Sequence, residues 1–113
     1  MVIAMAARVV AVNVTPDGLL VGGGLGKASH MAIAAVDEQG VNSWEVHHVE
    51  WDVLHDVGEH GAHHARIVRF MREHGVTHVV TGHAGPPMQN TLAKLGIAVT
   101  LDAAGDARAA ALG

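Results

Sequence analysis

Gly75-Val76-Thr77-His78-Val79-Val80-Thr81-Gly82 is the stretch on which the fold turns. Its middle is a short, nearly continuous apolar run, the mark of a strand covered on both faces. Upstream, Gly61 to His74 places Ile67, Val68 and Met71 on one stripe with His64 at a 3.6-residue repeat. A helix therefore precedes the strand, and Gly75 closes it as a left-handed cap. Downstream, Gly82-His83-Ala84-Gly85-Pro86-Pro87 breaks the strand, Pro87 to Leu95 reads as a second helix stopped by Gly96, and Ile97 to Leu101 reads as a further strand. Helix, strand, helix, strand in that order predicts parallel strands joined by crossovers.

Toward the N-terminus the period changes. Arg8 to Val14 is a β-branched run closed by the turn Thr15-Pro16-Asp17-Gly18, and His30 to Val36 is a second strand ending at Asp37-Glu38-Gln39-Gly40. From Val41 to Trp51, apolar Trp44, Val46, Val49 and Trp51 alternate imperfectly with polar residues, which predicts a third strand with one wet face. After the last strand, Asp102 or Asp106 caps a closing alanine-rich helix through Leu112, which favours helix but offers little to pack. The order is β-β-β-α-β-α-β-α. With the first strand central, the chain is expected to form one α/β domain over residues 1–113. Its mixed five-stranded sheet has strand order 3-2-1-4-5 and helices on its faces, a three-layer, ribonuclease H-like topology.

Composition narrows the function. Seven Lys and Arg stand against eleven Asp and Glu, and only three aromatic residues occur, so neither nucleic acid nor an anionic membrane is an expected partner. Arg66, Arg69 and Arg72 recur every third residue and read as a solvated helical stripe. Without cysteine, disulfides, catalytic thiols and thiolate metal sites within the chain are excluded, and any metal must be held by His, carboxylate, Met or ligands the cargo brings. Met1 to Ala7 is too short for a signal sequence and no run approaches 18 apolar residues, so a cytoplasmic protein is expected.

Strand direction places the unusual residues together. The carboxyl ends of the first, third and fourth strands and the loop feeding the second must share one edge of the sheet, where ligands bind in open α/β folds. That edge receives Asn13 to Gly26, His55 to His64 and Gly82 to Pro87. Ten histidines are present, six of them between His47 and His64. His60 and His64 are four apart and His60 and His63 three apart, the spacing of a two-ligand metal grip on a helix. On the expected stripe His64 leans inward, as a ligand or as a buried hydrogen-bonded imidazole, and His63 points to a neighbouring face. His83, flanked by Gly82 and Gly85, is the strongest single candidate, because small neighbours let a ligand approach the backbone. Gly85-Pro86-Pro87 also opens a helix whose first N–H groups can hold an anion. Gly22-Gly23-Gly24-Leu25-Gly26-Lys27 is not a P-loop: Val21 stands at the first glycine position, Ala28 replaces the hydroxyl residue and a strand follows. A backbone anion nest and a flexible loop both remain readings of it.

These stretches resemble the dinitrogenase iron-molybdenum cofactor biosynthesis proteins. The resemblance covers about residues 8 to 112 and rests on Gly24-Leu25-Gly26-Lys27-Ala28, on His60-Gly61-Ala62-His63-His64, and above all on Gly75 to Val80 followed by Thr81-Gly82-His83-Ala84-Gly85-Pro86 with Leu92 and Gly96-Ile97. It implies a ribonuclease H-like carrier of nitrogenase cofactor precursors or related clusters, and supplies no reaction. Where the family often carries His-Phe-Gly-Arg-Ala, this chain has Gly24, Leu25 and Lys27 in place of the His, Phe and Arg. The ligand role then shifts to His60, His63, His64 and His83.

The leading expectation is a non-enzymatic carrier. Its histidines would coordinate an iron-molybdenum or iron-sulfur cluster or a transition metal ion, and the backbone around Gly24, Gly26, Lys27, Gly82, His83 and Gly85 would stabilise the negative charge. A ribonuclease H-like nuclease needs carboxylates beginning on the first strand, where Val10, Val12 and Asn13 supply none. A metal hydrolase using His60, His64 or His83 with Asp56 as base is the enzymatic alternative. The other is a regulatory module that binds a small anion or a protein partner without metal. A homodimer is one form such a module could take, with Trp44 and Trp51 forming the contact from an edge strand.

Overall fold

A computed structural model of the chain describes residues 7–58 and 60–113, and the side chain of His60 lies outside that description. The elements are β1 (Arg8–Val14), β2 (His30–Asp37), β3 (Gly40–His48), α1 (Trp51–Leu54), α2 (His60–Glu73), β4 (His78–Val80), α3 (Pro86–Lys94), β5 (Ala98–Thr100) and α4 (Ala107–Ala111). A single 3-10 turn, Leu25–Lys27, interrupts the loop before β2. One sheet holds all five strands in the order β3-β2-β1-β4-β5. β1 pairs antiparallel with β2 and parallel with β4, β2 pairs antiparallel with β3, and β4 pairs parallel with β5. The expected strand order and the lone reversed strand are both present.

The two faces of the sheet differ in the size of what covers them. On one face Ala11, Met31, Ile33 and Val79 meet the large side chains of α1, α2 and α3, among them Trp51, Ile67, Met71, Met88 and Leu92. On the other, Val10, Val12, Ala32, Ala34 and Val80 meet Ala107 and Ala111 of α4, both almost wholly buried. The alanine-rich helix therefore does pack: small side chains on helix and sheet let the two backbones approach closely, and dispersion over many short contacts replaces bulk. Asp106 is its cap, accepting from the Ala109 amide at 2.8 Å, whereas Asp102 sits in the left-handed region at φ 58.

Two boundaries and the facing of one helix differ from the periodicity reading. β3 ends at His48, because Glu50 takes a left-handed conformation (φ 57) and turns the chain into α1. Trp51 consequently leaves the edge strand and enters the core, 2% exposed, edge-on to Phe70 at 5.3 Å. Inside α2 the buried stripe is His63, Ile67 and Met71, so His63 faces inward at 7% exposure and His64 is half-buried, the reverse of the expected pair. α3 starts one residue early, taking both Pro86 and Pro87 into its first turn.

Candidate functional site

The loops after β1 and β4 are sewn together where the two parallel strands end. The Leu25 amide donates to the His83 carbonyl at 2.8 Å and the His83 amide to the Gly23 carbonyl at 3.2 Å, extending the β1–β4 pairing into the loops. Beneath them Asn13 and Thr81, 2% and 0% exposed, supply side-chain bonds. Asn13 Nδ2 donates to the Gly23 carbonyl (3.0 Å) and to Thr81 Oγ (3.3 Å), and Thr81 Oγ lies 3.1 Å from the Gly23 carbonyl. Two glycines permit this closeness. A Cβ on Gly82 would sit 2.9 Å from both the Gly22 and Gly23 carbonyl oxygens, and one on Gly22 would sit 2.7 Å from Asn13 Oδ1. The glycine-rich segment is thus a pinned turn, and the flexible-loop reading falls.

The far side of that turn is held by α1 and α2. The amides of Val49 and Glu50 both donate to the Ser29 carbonyl, at 3.0 and 3.1 Å, and the Asp52 amide to the Ala28 carbonyl at 3.2 Å. From α2, His63 Nε2 lies 2.7 Å from the Gly26 carbonyl and His63 Nδ1 lies 2.8 Å from Arg66 Nη1. Arginine can only donate, so Nδ1 accepts and Nε2 carries the proton it gives to Gly26. Both ring nitrogens of His63 are spent on positioning the turn. Arg66, which the sequence placed on a solvated stripe, is half-buried and locks the imidazole tautomer.

The expected site residues therefore have different fates. Gly24, Gly26, Lys27, Gly82, His83 and Gly85 do meet at one edge. His64 joins them, lining a cleft of about 300 Å³ with Gly26, Lys27, His55, Asp56 and His63. A smaller one of about 130 Å³ lies between His63, His64 and the Ala84–Met88 segment. His83 is exposed, with its backbone bonded and its ring outward. His60 opens α2, but its side chain lies outside the described residues. Pro86 and Pro87 at the start of α3 remove two of the N–H donors expected there, so that helix end is a poorer anion site than the sequence suggested.

On the β1 side a cleft of about 290 Å³ is lined by Asn13, Gly22, Gly23, Gly24, Lys27 and Asp52, among others. Among the described residues the amides of Gly23, Gly24 and Gly26 have no acceptor, and Lys27 makes no ion pair. Free amides and one ammonium beside a cleft are donors for an anion. Metal ligands are sparser: no group of three or more His, Cys, Asp or Glu among the described residues is placed to hold a metal ion. A bare ion wants three or four protein ligands, whereas a preassembled anionic cluster carries most of its own. The described residues supply anion donors rather than a complete ligand set for a bare ion.

The residues missed from the sequence, Asn13, Thr81 and Arg66, are those that hold the loops. Only Asn13 gave a signal, as an amide inside an otherwise apolar β-branched run.

Comparison with known proteins agrees with this architecture. The crystal structure of PH0822 superposes with a TM-score of 0.72 over 90% of this chain and 85% of its own, at 20% identity. That of mj0327 from Methanocaldococcus jannaschii, described as a candidate dinitrogenase, superposes with a TM-score of 0.62 over 90% and 81%, at 17% identity. At such identities the likeness is one of fold. No curated protein matches the sequence. The sequence matches the family described as dinitrogenase iron-molybdenum cofactor over residues 6–112. With that match running through β1, the pinned glycine turn, α2 and the His83 loop, the chain belongs to the dinitrogenase iron-molybdenum cofactor family.

Proposed function

We propose that this chain is a non-enzymatic carrier that holds an anionic metal cluster of the iron-molybdenum or iron-sulfur kind during metallocofactor assembly, and hands it to a protein partner. The observation that carries this reading is the pairing of unspent donors with a cleft: Gly23 and Gly24, whose amides have no acceptor, and Lys27 line about 290 Å³ of open volume, shared with Asp52, beside a turn that is held on both sides. Preorganised donors cost no ordering when the cargo arrives. Of the expected ligand histidines whose side chains are described, His64, in the neighbouring cleft, and His83, exposed, have rings with no hydrogen-bond partner and could ligate an exposed metal atom. His63 serves instead by fixing Gly26 and with it the direction of Lys27. Family membership supports a role in cofactor binding or assembly. The lack of carboxylates on β1, where Asn13 is consumed by hydrogen bonds, speaks against a ribonuclease H-like nuclease.

The test is uptake of iron, sulfide and molybdenum species by untagged protein purified without oxygen, read by metal analysis and visible absorption, with Lys27→Ala, His64→Ala and His83→Ala alongside. Stoichiometric, coloured cargo that each variant loses or loosens is the expected result. A colourless protein that takes up none of these species, yet binds inorganic phosphate or molybdate through Lys27, would sink the carrier reading. It would favour the anion-responsive regulatory module, which the same free amides could serve.

A further inference from the structure

The two outer strands of the sheet are built differently. β5 is three residues long, short enough to offer little to a passing strand. β3, at the opposite edge, runs nine residues, Gly-Val-Asn-Ser-Trp-Glu-Val-His-His. An edge strand presents a row of unpaired N–H and C=O groups, and soluble proteins blunt long ones with lysine, proline or a covering element. β3 has no lysine and no proline, and its single carboxylate is Glu45. Asn42, Ser43, Glu45, Val46 and His48 are all exposed, and Val46 is 41% exposed, a β-branched residue suited to pairing. The irregularity in its pairing with β2, between Ala35 and Val36, lies near the start of the strand and leaves the stretch from Trp44 to His48 regular.

The sequence of β3 also restricts what can pair with it. In an antiparallel pair related by a two-fold axis, opposed side chains must lie on the same face, so the axis passes beside a residue. An axis beside Glu45 sets two carboxylates directly opposite each other, which is repulsive. An axis beside Trp44 opposes two indoles that Arg108 already covers, its guanidinium 4.9 Å from the ring centre. An axis beside Val46 opposes valine with valine, Trp44 with His48, and Glu45 with His47. The carboxylate then meets an imidazole whose Nε2 is buried and has no hydrogen-bond partner in its own chain, the Glu45 oxygen of that chain standing 3.8 Å away. Directly opposed residues have Cβ atoms about 5 Å apart, near enough for carboxylate and imidazole to interact across the strands.

We propose that β3 is the pairing edge of a symmetric dimer. The β3 of a second copy of this chain adds antiparallel to it with Val46 facing Val46, joining two five-stranded sheets into one. The partner's Glu45 then stands at the mouth of the cleft that His47, Arg66, Arg69, Phe70 and His74 form beside the strand. That cleft is separate from the turn bearing Lys27, so the dimer leaves both carrier clefts open.

The experiment is sedimentation velocity on the untagged full chain across a concentration series. The wild type is expected at twice the chain mass. Val46→Lys and Val46→Glu are each expected at the single-chain mass, because each puts like charges across the axis, and an equimolar mixture of the two is expected to recover the doubled mass. Leu112→Lys, at another exposed apolar position, should stay dimeric, and far-ultraviolet circular dichroism should be unchanged in all four proteins. A wild type that stays monomeric throughout, a Val46→Lys protein that stays dimeric, or a mixture that fails to recover the dimer would each overturn the proposal. Cluster uptake is read independently, so failure here leaves the carrier reading standing.

Discussion

The glycine segment from Gly22 to Ala28 and the histidine segment from His47 to His64 invite opposite expectations, and the structure overturns the first and narrows the second. Four glycines in five residues suggest a loose loop, yet that segment is gripped from below by Asn13 and Thr81, from one side by the His83 backbone and from the other by α1 and His63. Six histidines suggest a metal grip, yet three of those that can be followed have structural surroundings. His63 spends both nitrogens, His30 stacks on His48 at 4.5 Å, and His47 packs against Phe70 and His74. Rigidity here comes from where the backbone's hydrogen bonds go, and ligand capacity from which polar atoms remain unspent. Neither follows from residue type.

That contrast can be broken at its tightest point. Gly82→Ala places a methyl group 2.9 Å from two backbone carbonyl oxygens that cannot swing aside. It should cost about 1–3 kcal/mol, as overpacking does, measured by urea unfolding, and should weaken cargo uptake even though no ligand is removed. A variant as stable as wild type would show that the two loops are not held as described.

The pair His63 and His83 sharpens the contrast. His63→Ala removes two part-buried hydrogen bonds and leaves Arg66 Nη1 only the Leu54 carbonyl at 3.5 Å, so a loss of about 1–2 kcal/mol is expected. His83→Ala alters an exposed ring and should shift stability by less than about 0.5 kcal/mol while lowering metal content. The reverse pattern, a stable His63 variant and an unstable His83 variant, would exchange their roles.

The smallest effect lies in the β2–β3 hairpin. Asn42 Nδ2 and the Gln39 amide donate to the Asp37 carboxylate and hold its pKa below the ordinary 3.8. A depressed folded pKa stabilises above 3.8, and that stabilisation is lost as pH falls through the folded value. The stability gap between wild type and Asp37→Asn should therefore be present at neutral pH and shrink as the pH drops below 3.8. A gap independent of pH would mean the carboxylate's charge is not what the hairpin uses.

Much of the fold was legible because periodicity and turn chemistry are local. The β-branched run at Arg8–Val14, the left-handed glycine at Gly75 and the apolar run before Gly82 fixed strand order and direction, and direction alone brought Lys27, His64 and His83 to one edge. What remained hidden depended on atoms far apart in sequence. Which of two adjacent histidines faces inward was decided by the Gly26 carbonyl, 37 residues away from His63. Whether the glycines are loose was decided by Asn13 and Thr81, 68 residues apart. A sequence by itself determines which residues can donate, accept or bury. Only the tertiary structure decides which of those capacities are already used, because a hydrogen bond satisfied inside the fold is no longer available to a ligand.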